Sequence, residues 1–152
     1  MATKVDVYLN FDGTCEEAFN FYAKVFQSPL DCVIRYSDMP PQEGMPPLPP
    51  EHANKIMHTM VRINDQNCLM GSDVIEGFGH KLTHGNNAYI VLAPAYAEET
   101  KSLYEQLTKD AKVIEMPLGE QFWAELYASF QDKYGVWWML LFEGNKAENF
   151  SE

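Results

Sequence analysis

The order of predicted elements runs twice along this chain. From Val5 the residue pattern predicts a strand, a helix and three further strands, and from Asn87 the same order begins again at a similar length. A strand-rich module of this size cannot bury its apolar face alone, so two copies are expected to pair around a cleft that holds the functional site. We therefore predict an α+β fold, one domain over residues 1–152 with a first βαβββ module at 5–73 and a second at 87–143.

Composition and charge restrict the class of partner. The chain is 46% hydrophobic, which is enough for a folded core, and its net charge is -11. A strongly acidic surface repels phosphates and anionic lipids, so neither nucleic acid nor a membrane surface is an expected partner. No segment approaches the roughly 20 apolar residues of a membrane span. The expected partner is a small molecule.

The cysteines indicate the redox compartment. Cys15, Cys32 and Cys68 are odd in number, far apart, and lack CxxC spacing. This usage is typical of buried thiols in a reducing environment, so we expect a cytoplasmic protein.

The first module has clear element signals. Residues 5–10 alternate between apolar and polar types, as a half-buried strand does. Thr14 and Glu17 have the spacing of a capping box, which predicts a helix over about 15–26. Six prolines in residues 37–54 predict a loop, either a lid over the cleft or a segment on the surface.

The second module repeats these signals. It begins with a strand at 88–92 and breaks at Pro94. The helix that follows has one apolar face, formed by Thr100, Leu103, Tyr104 and Leu107. Three more strands are predicted at 112–116, 122–130 and 136–142.

The most specific segment is 121–139, which contains QFWAE and DKYGVWWM. Together with YLNFDG at 8–13, HTMVRI at 58–63 and MGSD at 70–73, it resembles the PhnB-like branch of the vicinal oxygen chelate superfamily. That superfamily includes glyoxalase I, extradiol dioxygenases and bleomycin-resistance proteins. The resemblance covers nearly the whole chain and implies paired βαβββ modules with a cupped sheet, commonly in a strand-exchanged homodimer.

The same resemblance permits a position-by-position test of the metal site. Metal-dependent members place four His or Glu ligands on the first and last strands of both modules. The matching positions here are Met139, Ala88, Leu69 or Met70, and one residue among 6–8 whose register the sequence leaves open. Neither a thioether nor a methyl group replaces a carboxylate or imidazole on a hard or borderline cation. We therefore expect no glyoxalase-type metal and no other cofactor, and do not favour a divalent ion.

The candidate site residues come from the aromatic and titratable positions of the predicted strands. His58 and Glu125 are the candidate acid and base, although His58 is equally well explained as a hydrogen-bonded structural residue. Glu125 and Tyr127 share a strand face with Trp123 and point either into the cup or to solvent, in which case Phe122, Ala124, Leu126 and Phe130 form the core. The expected ligand pocket comprises Tyr8, His58, Met60, Trp123, Glu125, Tyr127 and Trp138.

Three functions compete. The favoured one is a metal-free protein that binds a planar small molecule in the cleft between the modules. The alternative is a lyase, isomerase or dioxygenase-like enzyme that uses a divalent metal. A methyltransferase is the third, because relatives of this branch often carry that label, but residues 77–79 lack the strand-to-helix setting of a cofactor-binding glycine turn.

Overall fold

A computed structural model describes residues 3–149, and its chain contacts divide into two compact units between Thr83 and His84. Each unit contains one βαβββ module, as the repeated pattern predicts. The first unit consists of β1 Val7–Phe11, α1 Cys15–Val25, β2 Leu30–Arg35, β3 Ile56–Arg62 and β4 Cys68–Asp73. The second consists of β5 Ile90–Leu92, α2 Ala97–Leu107, β6 Val113–Gln121, β7 Ala124–Gln131 and β8 Trp137–Phe142. Neither α-helix is long and apolar enough to cross a membrane.

The two units have the same sheet topology. The first sheet has the order β1-β4-β3-β2 and the second the order β5-β8-β7-β6. In each, the first strand runs parallel to the last, and the other pairs are antiparallel. Tyr8 pairs with Met70 in the first unit as Val91 pairs with Met139 in the second. The register therefore relates the two units residue by residue and confirms the duplication.

Helix α1 is fixed by a buried carboxylate rather than by the predicted capping box. The Thr14 side chain makes no capping hydrogen bond. Instead, Oδ1 of Asp73 accepts a hydrogen bond of 3.0 Å from the backbone N–H of Cys15, and its Oδ2 accepts one of 2.9 Å from that of Ile56. The capping-box prediction was wrong because an acceptor 58 residues away along the chain satisfies the helix N-terminus.

One face of α1 packs on the first sheet through Ala18, Phe19, Tyr22 and Val25, which are all buried. Gly71 of β4 lies directly beneath Phe19, and a Cβ atom there would be only 2.5 Å from a ring carbon. This close approach identifies the side of the sheet that α1 covers.

In the second unit, α2 buries Thr100, Leu103 and Leu107 as expected, and Tyr104 meets Phe130 of β7 edge to face at 5.8 Å. Strand β6 is longer than predicted and passes through Pro117 and Gly119. An edge strand tolerates proline because one row of its N–H groups needs no partner, and its pairing with β7 is irregular at three points.

The proline-rich loop 37–54 is closed at its base. The backbone N–H of Tyr36 donates to the Lys55 carbonyl at 3.0 Å, and that of Ser37 donates to Ala53 at 2.9 Å. Arg35 donates from Nη1 to the Asn54 carbonyl at 2.8 Å and pairs with Glu16 of α1 through Nη2. The loop is thus anchored within its own unit, as a loop and not as a linker.

Candidate functional site

In each sheet, one face is covered by the helix of the same unit and the opposite face is not. We call the face opposite α1 the first open face and the face opposite α2 the second open face. Because Gly71 lies under Phe19, its neighbour Met70 points to the first open face. Cross-strand partners share a face, so one row runs across all four strands there, through Tyr8, Met70, Met60 and Cys32.

The first open face brings together three of the predicted pocket residues. His58 lies on the same side of β3 as Met60, and its ring stacks on Tyr8 with centroids 5.8 Å apart and planes at 25°. Tyr36 closes one side, with its hydroxyl donating to the Asp73 carbonyl at 2.7 Å. Burial raises the pKa of Tyr36, and the charges of Asp73 and Tyr8 raise it further. Tyr8, His58 and Met60 therefore form one aromatic and thioether surface.

The second open face holds the other predicted aromatic group. Tyr127 of β7 pairs with Leu141 and Gly119, and its ring meets Trp123 at 5.3 Å, edge to face. Glu125 lies two residues before Tyr127 on the same side of the strand. Trp123 itself precedes β7, in the turn after β6, where Phe122 is 72% exposed. Ala124 and Phe130, by contrast, are fully buried on the helix side.

The position of Glu125 depends on a glycine at the end of the second sheet. Its backbone N–H donates to the Glu143 carbonyl at 3.1 Å, and its carboxylate lies against Gly144. A Cβ atom at Gly144 would collide with Oε2 of Glu125, and the φ of 55° there also favours glycine. Glu125 is therefore held at the C-terminal turn Gly144–Asn149.

Trp138 lies on the helix side of the second sheet. It pairs with Phe130 and Ile90 on the face that α2 covers and is 0% exposed. Its indole N–H donates to Oδ2 of Asp132 at 2.9 Å. Trp138 is therefore separated from Trp123, Glu125 and Tyr127, with which it was expected to share a pocket. The neighbouring Trp137 points to the open face and meets Tyr89 at 5.5 Å.

Sequence reasoning missed a hydrogen-bonded trio on the second open face. The Tyr89 hydroxyl donates to both carboxylate oxygens of Glu115, at 2.8 and 2.9 Å, and the Ser129 hydroxyl donates to Oε1 at 2.9 Å. The hydrogen bond to Glu115 raises the pKa of Tyr89, as do partial burial and the charges of Glu115 and Tyr127. No sequence signal marks this trio, because its members come from three separate segments.

The metal positions implied by the family resemblance do not fit a divalent cation. The paired central positions are Tyr8 with Met70 and Val91 with Met139. Ala88, the position that the resemblance implies, lies before β5, which begins at Ile90, and the register relates Val91 to Tyr8. Within residues 3–149 no three His, Cys, Asp or Glu side chains come together as a metal site. Two thioethers, a phenol and a valine are unsuited to a hard or borderline cation, so no chemical step is assigned to one.

Comparison with known proteins agrees with the fold. The family model described as 3-demethylubiquinone-9 3-methyltransferase matches residues 3–141. Protein YjdN of Escherichia coli is 30% identical over 138 residues, covering 88% of this chain and 90% of that protein. The solved structure of PA1353 from Pseudomonas aeruginosa is 28% identical, with a TM-score of 0.79, and the match covers 93% of this chain and 98% of that one. A Bacillus cereus protein described as putative 3-demethylubiquinone-9 3-methyltransferase, PhnB protein, is also 28% identical, with a TM-score of 0.72, and the match covers 92% of this chain and 99% of that one. The fosfomycin resistance protein FosX of Listeria monocytogenes, 9% identical with a TM-score of 0.57 and 93% of each chain covered, shares the fold alone.

Proposed function

This chain belongs to the PhnB-like family described as 3-demethylubiquinone-9 3-methyltransferase, which has the vicinal oxygen chelate fold, and from that membership we propose that it binds a planar small molecule. The binding surfaces are the open faces of its sheets. Binding requires neither the glyoxalase-type metal set nor another cofactor.

The observation that carries the proposal is the stack of Tyr8 on His58, flanked by Met60. Aromatic rings and thioethers make favourable contacts with the face and edge of a planar ligand. Tyr8 lies on the edge strand β1 and is 46% exposed. An exposed aromatic on an otherwise apolar strand row is available for stacking.

Residues 77–79 do not form a cofactor site that matches the methyltransferase activity named by the family description. Residues 77–79 hold two glycines, but they follow β4 and lead through an irregular segment to β5, not into a helix. A cradle for a nucleotide cofactor needs a strand, a glycine turn and a helix N-terminus in direct succession. We therefore assign no methyl-transfer step to these residues.

A homodimer is part of the same proposal. Large apolar side chains remain exposed on this chain, including Val91 at 52% and Phe122 at 72%. Burying such residues against a second copy would remove apolar area from water. Sedimentation equilibrium at micromolar concentration should give twice the chain mass, and a monomer would overturn this part of the proposal.

The test is ligand binding by defined variants. Native mass spectrometry of the protein should reveal copurified small molecules, and tryptophan fluorescence should report binding of 2-naphthol, a neutral planar probe. Tyr8→Ala removes the stacking ring and should weaken 2-naphthol binding about tenfold, a loss of about 1.4 kcal/mol. His58→Ala should weaken it as well, because Tyr8 loses its stacking partner.

The matched control is His80→Ala, which removes an exposed histidine in the segment between the two sheets. It should bind 2-naphthol like the parent protein. If Tyr8→Ala and His58→Ala bind normally, or lose affinity only in proportion to lost stability, the first open face is not a binding surface.

A further inference from the structure

A β-bulge determines the direction of the Glu115 side chain. Ile114 pairs with Phe130, but Met116 pairs with Ser129, so Glu115 is an extra residue in the ladder between β6 and β7. Bulges redirect side chains and are frequent next to functional sites. This one turns the carboxylate onto the second open face, where the hydroxyls of Tyr89 and Ser129 hold it.

The first unit has a bulge at the related position, but there the carboxylate pairs with an arginine. Leu30 pairs with Val61 and Cys32 with Met60, which leaves Asp31 as the extra residue. There Asp31 accepts a hydrogen bond of 3.0 Å from Nε of Arg62, so the bulged carboxylate has a cation as its partner. The register relates Asp31 to Glu115.

The position in the second unit that corresponds to Arg62 holds no cation. The residue related to Arg62 is Gln131, since Val61 with Leu69 corresponds to Phe130 with Trp138. The Gln131 amide donates to the Gly135 carbonyl at 3.2 Å. In the described part of the chain the Glu115 carboxylate forms no salt bridge with Lys, Arg or His. Its partners are two hydroxyl groups, so its negative charge stays uncompensated.

The surroundings of Glu115 suit an aromatic cation. Glu115 is exposed, whereas Ser129 is fully buried beneath it. Trp137 meets the ring of Tyr89 at 5.5 Å, and Tyr127 lies on the same face of β7 as Ser129, two residues earlier. A carboxylate held in place beside half-buried aromatic rings offers a charge-assisted hydrogen bond together with ring contacts.

We propose that Glu115 is the anionic anchor of the second open face and that it selects planar ligands carrying a cationic nitrogen. The ligand supplies the positive charge that Arg62 supplies to Asp31 in the first unit. This inference rests on the proposed function and adds the charge class of the ligand.

The experiment compares three planar probes of similar size by tryptophan fluorescence: N-methylquinolinium as cation, 2-naphthol as neutral compound and 2-naphthoate as anion. The parent protein should bind the cation at least about tenfold more tightly than the neutral probe, as expected for one charge-assisted contact. Added salt should weaken the binding of the cation alone.

Two variants test the anchor from opposite directions. Glu115→Gln removes the charge, and Gln131→Arg places an internal cation where the first unit has one. Each should lower affinity for N-methylquinolinium about tenfold and change affinity for 2-naphthol less than about twofold. Glu105→Gln, which neutralises an exposed carboxylate on α2, is the matched control and should leave all three affinities unchanged.

The outcomes separate the two proposals. If 2-naphthol binds but the cation has no preference, or if Glu115→Gln weakens all probes equally, the anchor is wrong and small-molecule binding stands. If none of the three probes binds the parent protein, both proposals fail.

Discussion

The indole Nε1 of Trp138 donates a 2.9 Å hydrogen bond to Oδ2 of Asp132, six residues earlier in the chain. The other carboxylate oxygen accepts from the backbone N–H groups of Tyr134 and Val136, at 2.8 and 3.0 Å. One buried aspartate therefore organises the β7–β8 turn and fixes the face on which the next two tryptophans emerge.

Removing this carboxylate should strongly destabilise the protein. Asp132→Ala leaves two backbone donors and the indole N–H without their acceptor, so we expect a loss of about 3 kcal/mol or more in the free energy of unfolding. Urea denaturation followed by circular dichroism measures it. Asp65→Ala, in the exposed β3–β4 turn, is the control and should change stability by less than about 0.5 kcal/mol. A similar small loss for Asp132→Ala would contradict the structural role.

The contact between Gly71 and α1 leads to a steric prediction. A Cβ atom at position 71 would lie 2.5 Å from Phe19 and 2.8 Å from the backbone oxygen of Leu9, and the second of these cannot yield. Gly71→Ala should therefore cost about 1–3 kcal/mol, as overpacking does, and lower the melting temperature. Gly79→Ala, where a Cβ atom meets nothing within 4 Å, is the control. Equal melting temperatures for the two variants would exclude close packing of α1 at Gly71.

The repeated module could be predicted from sequence because it rests on local patterns. Alternating strands, apolar helix faces and the Gly135 turn each depend on a few neighbouring residues, and the structure has them in the predicted order. Tyr8 and His58 were both expected in the pocket, but the register of the first strand stayed open from sequence, and the structure stacks the two rings.

What could not be predicted from sequence has a common physical cause, which is strand register. Adjacent Trp137 and Trp138 must face opposite sides, and sequence does not say which one faces α2 until the Asp132 hydrogen bond fixes it. Likewise, the sequence around Glu115 indicates only an ordinary exposed carboxylate. The β-bulge depends on how two strands pair, and the sequence of one strand does not reveal it. Contacts made by residues distant in sequence thus decide the site, while local patterns decide the elements.

The three thiols should differ in reactivity. Cys15 and Cys68 are buried, and burial raises the pKa of both thiols. The charge of Asp73 raises the pKa of Cys15 further, and a hydrogen bond to Asp6 does the same for Cys68. Since only the thiolate reacts, N-ethylmaleimide should modify Cys32 first. Peptide mapping after timed labelling identifies the modified thiol.

This labelling also reports on the first open face, because Cys32 lies in the same row as Met60 and Tyr8. Bound 2-naphthol should slow the modification of Cys32, and Cys32→Ser should abolish the fast phase. Rapid labelling of Cys15 in the native protein would contradict its burial.

Titration of Tyr89 tests the geometry around Glu115 independently of any ligand. Its hydrogen bond to Glu115 raises the pKa of the phenol above the ordinary value of 10.0. Because the pKa is raised in the folded protein, the contribution of this hydrogen bond to folding stability is fully present below about pH 10. It is lost as the pH rises through the folded-state pKa of Tyr89.

In Glu115→Gln the neutral amide no longer favours the protonated phenol, so the pKa of Tyr89 should fall toward 10.0. Carbon-13 NMR of labelled tyrosine measures this pKa. Tyr89→Phe identifies the Tyr89 signal among those of the eight tyrosines. The control variant Glu105→Gln should leave the pKa of Tyr89 unchanged. An unchanged titration in Glu115→Gln would show that the Tyr89 hydroxyl does not rest on this carboxylate, and the charged anchor would lose its geometric basis.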